Sequence, residues 1–212
     1  MQIKLQSVVP KPLEGTFSGA SIWGKEITLN KGGRYLVSAE SGKGKSTLIS
    51  YIYGIRQDFS GDILLDTNSV KGLKPLAWSD IRSRQLSIVF QNLRLFPQLT
   101  AWENLMIKHR LNPVLSESEI RDLCQELEIA ELRDKPVLKL SMGQQQRFAL
   151  IRSLLQPFEF LLLDEPFSHL DEGNRLKMEN MIERFCKANQ AGLIITSLGD
   201  TGSLTYDSIS KV

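Results

Sequence analysis

Hydrophobic and polar positions alternate in short stretches over the first part of the chain and lengthen into helical periods further on. From Ile3 to Leu36, the apolar runs Ile3-Lys-Leu5, Ile22-Trp23 and Ile27-Thr-Leu29 are separated by turn residues, with Lys31-Gly32-Gly33 after them. This pattern predicts an antiparallel strand region. Tyr35 to Ser38 reads as a strand, broken at Gly42 and Gly44 and followed by a helical pattern of Leu48, Ile49, Ile52 and Tyr53 that Gly54 closes. Ile63 to Leu65 is a further short strand, and Leu86 to Phe90 another that ends at Gln91. Between about Thr100 and Gln156 the character becomes helical. Thr100 with Glu103, and Ser116 with Glu119, fit the capping box, and Leu115 and Ile120 stand where a hydrophobic staple would hold the second helix start. Gly143 to Gln156 reads as a helix stopped by Pro157. Phe160 to Leu163 shows no alternation, the mark of a strand buried on both faces of a parallel sheet. A helix from Glu172 to Asn189, a strand Leu193 to Thr196 and a short tail complete the chain, without internal repeats.

Composition narrows the partners. The 212 residues, 42% of them hydrophobic, suffice for a real core and exclude a disordered chain. With 26 basic against 24 acidic residues the net charge of +2 gives no field that would argue for nucleic acid. Cys124 and Cys186 lie far apart without metal-ligand spacing and read as reduced and structural. No apolar stretch reaches secretory or membrane-spanning length, so the expectation is a soluble, cytoplasmic chain.

Two segments carry chemistry. Ala39-Glu-Ser41-Gly42-Lys43-Gly44-Lys45-Ser46-Thr47 fits the phosphate-loop pattern at every fixed place except the first, where alanine replaces glycine. Successive amides in such a turn point at anionic oxygens, and the next helix presents its positive end to the same place. Lys45 would reach the terminal phosphates of a nucleotide, and the Ser46 hydroxyl would take one place on Mg2+. Strand before and helix after distinguish this from a lysine-bearing surface loop. In Phe160-Leu-Leu-Leu-Asp164-Glu165, two carboxylates end the most buried strand expected, where open α/β sheets hold ligands. Asp164 would hold Mg2+ directly or through water, and Glu165 would orient and deprotonate the water that attacks the γ-phosphate.

Joined by Leu140-Ser141-Met142-Gly143-Gln144-Gln-Gln-Arg147, these motifs make the chain resemble an ATP-binding-cassette (ABC) transporter ATPase subunit over nearly its whole length. The order is kept: phosphate loop, Gln91, signature at 140–144, acidic strand, then Ser168-His169-Leu170-Asp171. The resemblance implies an α/β fold: a P-loop NTPase core with a mostly parallel sheet, an N-terminal antiparallel β subdomain and an inserted helical subdomain. The implied layout is a single ABC ATPase domain over 1–212, with 1–91 and 157–212 as nucleotide-binding core and 92–156 as the helical signature subdomain. It further implies ATP and Mg2+ as cofactors, hydrolysis through Glu165, Gln91 as a link to the metal, and head-to-tail pairing with a second ABC subunit, a homodimer on ATP. Ser141, Gly143 and Gln144 would then touch nucleotide held by the partner copy, and Asp171 would lie near the seam. A membrane permease would hold the chain peripherally at the inner face of the cell membrane. A nucleotide-switched scaffold with weak hydrolysis is the rival.

Three departures from the family pattern carry weight: Ala39, Met142 in place of the first signature glycine, and Ser197 where a histidine that contacts the γ-phosphate normally stands. His169 belongs to a different loop and cannot take that role, while His109 reads as a surface residue. Phe17, with Trp23 second, is the candidate for stacking on adenine, though either could be a packing residue. Leu93, Leu95, Phe96 and Leu99 either pack inside the helical subdomain or form the permease-docking groove. The wording of that stretch is similar to cassettes of lipoprotein-releasing, macrolide-exporter and cell-division complexes.

Overall fold

A computed structural model describes residues 1–15, 21–38, 44–198 and 202–212. Two sheets divide the strands. Strands β1 (Gln2–Pro10) and β2 (Glu26–Asn30) pair antiparallel, as the early alternation requires. They are joined by β4 (Phe59–Leu65) and the two-residue β5 (Asn68–Ser69) in the order β2-β1-β4-β5. The second sheet runs β6-β7-β8-β3-β9 and all its pairings are parallel. It is built from β3 (Arg34–Ser38), β6 (Leu86–Val89), β7 (Phe160–Asp164), β8 (Gly192–Ser197) and β9 (Ser208–Lys211).

The unalternating apolar runs are explained by what lies on either side of this sheet. Phe160 and Leu162 of β7, with Ile194 of β8 and Val37 of β3, face one hydrophobic cluster. Leu161, Leu163, Leu193, Ile195 and Leu36 face the other. The first cluster is closed by α1 (Lys45–Ile52) and the antiparallel sheet, the second by helices α3 (Ala101–His109), α4 (Glu117–Glu126), α5 (Met142–Leu154) and α6 (Glu172–Ala188). Each fully buried leucine or isoleucine in these layers contributes about 1.5–3 kcal/mol. The helices of 92–156 thus share one core with the sheet.

Capping fixes where the helices begin. Thr100–Glu103 and Ser116–Glu119 form reciprocal boxes, and buried Ile120 packs in the same cluster as Leu115. A third box, Ser141–Gln144, starts α5 one residue before the expected Gly143, and the helix stops at Leu154, short of Gln156. Two elements depart from the sequence reading more sharply. Helix α2 (Pro75–Arg84) occupies a stretch too polar to show a period, its signal being Pro75 in the first turn. The tail also supplies β9, which pairs with β3. Ile22-Trp23 is not a strand: its neighbour Ser21 makes an isolated bridge to Lys211.

Candidate functional site

Because the strands of the second sheet are parallel, their carboxyl ends gather at one edge. There β3 delivers the chain into the phosphate loop, β6 leads to Gln91, β7 ends at Asp164 and Glu165, and β8 ends at Ser197. Ser38 lies opposite Ser197, and Asp164 opposite Thr196, in register. Of the phosphate loop, Gly44 onward is described; Ala39, Ser41, Gly42 and Lys43 lie outside the described residues, as does Phe17.

Gly44 caps α1 with φ 101°, a backbone state that side chains rarely adopt, and a Cβ there would stand 3.0 Å from Leu13 Cδ1. The next residue, Lys45, is buried, with its ammonium 3.4 Å from Glu165 Oε1. Gln91 Nε2 donates to the other carboxylate oxygen, Oε2, at 3.1 Å. Glu165 is itself held in the left-handed region, φ 50°. Its amide donates to both the carbonyl and the hydroxyl of Thr196, at 3.2 and 3.1 Å, which keeps this uncommon conformation in place. The Thr196 hydroxyl in turn donates to Asp164 Oδ1 at 2.6 Å.

Asp164 is buried, and burial raises its pKa above the ordinary aspartate value. Hydrogen bonds from Thr196 and Ser46 oppose that rise, as does the charge of Lys45, while the neighbouring Glu165 carboxylate adds to it. Ser46 hydroxyl and Asp164 carboxylate are therefore hydrogen-bonded neighbours, a pair of hard oxygen donors of the kind that Mg2+ takes alongside phosphate oxygens and water.

A cavity of about 340 Å3 is lined by Lys45, Ser46, Thr47, Gln91 and Glu165, and also by Pro10, Pro12, Leu13 and Arg56. Those last four were not singled out from sequence. Arg56 donates to Thr47 Oγ1 at 3.3 Å and pairs with Asp58, contacts that no short motif announces. On the other side of Glu165 a second cavity, about 350 Å3, is lined by Pro166, Phe167, Ser168, Thr196, Ser197 and Leu198 among others. Glu165 thus faces Lys45 on one side and the Ser197 cavity on the other.

Ser141, Gly143 and Gln144 line neither cavity. They form the start of α5, where Ser141 Oγ accepts from the Gln144 amide at 3.3 Å and Gln144 Oε1 from the Ser141 amide at 3.0 Å. Gly143 is required by packing, since a Cβ would come 2.6 Å from the His169 carbonyl oxygen. Arg147, also unmarked in the sequence reading, ties this helix start to its surroundings by donating to the carbonyls of Gly143 and Leu127 and to Asn174 Oδ1. Asp171 caps α6, accepting from the Asn174 amide at 2.9 Å. His169 Nδ1 lies 2.9 Å from Ser168 Oγ, in the loop that follows Glu165.

Two open alternatives are decided and one reading is corrected. Trp23 is 2% exposed and packs edge-on against Tyr51 in the core, so it offers no free face to adenine. His109 is half-buried at the end of α3 rather than on the surface. Of the apolar residues after Gln91, Leu93 is in the core and Leu95 packs against it; Phe96 is the large one left open, at 52% exposure.

The sequence profile of the ABC transporter family matches residues 24–168. The thiamine import ATP-binding protein ThiQ of Histophilus somni (strain 129Pt) is 36% identical over 175 residues, 81% of this chain and 79% of that protein. The chain belongs to the ABC transporter family. It is an ATPase subunit of that family, nucleotide-binding and of the α/β P-loop fold. The dimeric structure of the bacterial ABC transporter cassette MJ0796 superposes with a TM-score of 0.84 at 22% identity, covering 99% of this chain and 94% of the other, a likeness of fold. CbiO1 of Clostridium perfringens, part of the transporter complex CbiONQ, superposes with a TM-score of 0.70 at 26% identity over 92% of this ABC subunit and 77% of that chain. The relative named here is a thiamine import protein, not one of the lipoprotein-releasing, macrolide-exporter or cell-division cassettes that the wording of the loop after Gln91 resembles. Among the described residues no helix is long and apolar enough to cross a membrane.

Proposed function

We propose that this chain hydrolyses ATP between two head-to-tail copies, or between itself and a second ABC subunit, and that the closure drives a membrane permease. The observation that carries this reading is the division of the anion-binding features. Lys45, Ser46, Gln91 and Glu165 line one cavity, with Asp164 hydrogen-bonded to Ser46, while the helix start lies outside it, Ser141 exposed and Gly143 and Gln144 half-buried. A chain with half a site at each of two places is completed by a second chain.

In this reading Ser41, Gly42, Lys43, Gly44, Lys45, Ser46 and Thr47 hold the phosphates, with Phe17 against adenine. Arrival of a γ-phosphate draws Lys45 from Glu165 to the phosphate, since both compete for one ammonium. The freed carboxylate then accepts the proton of the attacking water, with Gln91 keeping its orientation. Ser46 and Asp164, with Gln91 close by, would hold Mg2+, which when bound neutralises phosphate charge. Ser141, Gly143 and Gln144 meet the nucleotide held by the partner subunit, and Asp171 lies near the seam. Residues 92–156 form the helical segment that faces the permease, with Phe96 at its open surface, and the permease holds the chain at the cytoplasmic face of the membrane.

Hydrolysis is slow because Ser197 supplies a short hydroxyl where the family places a histidine. Loss of one preorganised donor costs about 2.7–4 kcal/mol in the barrier. Phosphate release with Mg2+ tests the whole reading. It should vanish in Glu165→Gln while ATP binding persists by calorimetry, fall in Ser197→Ala and rise in Ser197→His. Turnover unchanged in all three variants contradicts it.

A further inference from the structure

Helix α5 is fastened to both loops that flank Glu165. Gln146 Nε2 donates to Ser168 Oγ at 3.0 Å, in the loop that follows Glu165. Nearly two turns later, Arg152 donates through Nη2 to the Leu93 carbonyl at 2.6 Å and through Nη1 to the Arg94 carbonyl at 2.8 Å, in the loop that follows Gln91.

The two residues that Arg152 grips are the ones whose backbone needs holding. Leu93 and Arg94 have φ 56° and 46°, a consecutive left-handed pair without a glycine. Such a pair costs of order 1–3 kcal/mol per residue and persists where its surroundings over-determine it. Leu93 is pinned by a side chain 3% exposed in the core, and Arg94 by its guanidinium 3.8 Å over the Phe90 ring. Phe90 in turn meets Tyr53 edge-on. Within the turn the Leu93 amide donates to the Phe90 carbonyl at 2.9 Å and the Arg94 amide to the Asn92 carbonyl at 2.6 Å. The constraint from outside the turn's own backbone is the fork of Arg152, which among the described residues makes no ion pair and spends its donors on these two residues' carbonyls. Burial without a carboxylate partner pushes its pKa down to about 10. A planar guanidinium bridges two adjacent carbonyls with donors in a fixed fork, whereas an ammonium offers three rotatable donors on a flexible stem and fixes neither direction.

We propose that Arg152 is a positioning residue for Gln91: by locking Leu93 and Arg94 in their left-handed turn it fixes the chain leaving β6, so that the Gln91 amide meets Glu165. This rests on the reading of Glu165 as the group that orients the attacking water. Since Arg152 and the Ser141 helix start belong to one helix, a contact made by nucleotide at the start of α5 is mechanically linked to the placement of Gln91.

The test is steady-state ATP turnover by the full chain carrying Arg152→Lys, Arg152→Ala or Gln91→Ala, and Arg152→Lys combined with Gln91→Ala. Misplacing a catalytic group by about 1 Å costs up to about 100-fold. The expected result for Arg152→Lys is therefore a fall in kcat of about ten- to hundredfold, with KM for ATP unchanged within about twofold. The combined variant should be no slower than Gln91→Ala alone, and millimolar guanidinium should recover part of the Arg152→Ala loss. Arg152→Lys keeps the charge and the stem, so it reports even if the alanine variant folds poorly. Wild-type turnover in Arg152→Lys, or losses that multiply in the combined variant, overturns the proposal. Glu165→Gln, assayed beside them, separates the two claims. Its inactivity alongside a wild-type-like Arg152→Lys overturns the Arg152 role alone, and activity surviving in it overturns the role given to Glu165.

Discussion

The Lys45 ammonium lies 3.4 Å from Glu165 Oε1, so the cation of the phosphate loop and the carboxylate at the end of the buried β7 strand are partners. A nucleotide that takes over Lys45 stabilises the folded chain by mass action, by about 2.7 kcal/mol at a concentration 100 times its Kd. For a chain of this size that corresponds to a rise in Tm of about 5–10 °C. Differential scanning fluorimetry should show the rise in the wild type and lose it in Lys45→Ala. An equal rise in both would remove Lys45 from the phosphate site.

Asp164 should cost stability in order to serve the site. Its folded pKa lies above its unfolded value because burial disfavours the charge. The native state therefore holds the proton more tightly, and stability falls as pH rises from the unfolded pKa through the folded one. Asp164→Asn keeps an oxygen to accept from Thr196 and removes the charge. It should raise Tm at pH 7, with the gain vanishing at a pH below the ordinary aspartate pKa of about 3.9, and should abolish Mg2+-supported turnover. A lower Tm at pH 7 would show that the carboxylate is a net stabiliser.

Both thiols should be silent in the native chain. Cys124 and Cys186 are buried at 0% and 1% exposure, and burial pushes each pKa up to about 11. At pH 8 only about one thiol in a thousand is ionised, and none is reachable. A disulfide reagent should titrate neither in native protein and both in denaturant. Rapid native reaction at either position would contradict the packing of α4 or α6.

Much of this arrangement is legible in the residues themselves. The unalternating Phe160–Leu163 run needs helices on both sides of the sheet, and the two hydrophobic clusters supply them. The phosphate loop and the acid pair announce the carboxyl edge, and two capping boxes mark helix starts correctly. Other parts leave no local signal. Helix α2 is mostly polar and earns its place through buried Trp78, and β9 is a four-residue edge strand with exposed serine and lysine, ordered by its ladder to β3.

Within the site, the residues missed are those whose work depends on distant backbone. Thr196 joins Asp164 to the Glu165 amide from a neighbouring strand, and Arg152 reaches carbonyls 58 and 59 positions away. Neither contact has a sequence spacing to detect. Ser141–Gln144 is the reverse case. Its Ser-x-x-Gln pattern is a capping box as plainly as the other two, yet reading it for nucleotide contact hid the structural role.

Those two roles of Ser141 can be separated, and doing so reaches the central claim most directly. Aspartate caps a helix as well as serine does, but it places a negative charge where the partner's nucleotide should sit. Sedimentation of Glu165→Gln with ATP should show the mass of a dimer, and Glu165→Gln combined with Ser141→Asp should remain a monomer while still binding ATP. A Glu165→Gln chain that stays monomeric at saturating ATP, or a doubly substituted chain that pairs as readily as the single variant, would contradict the account.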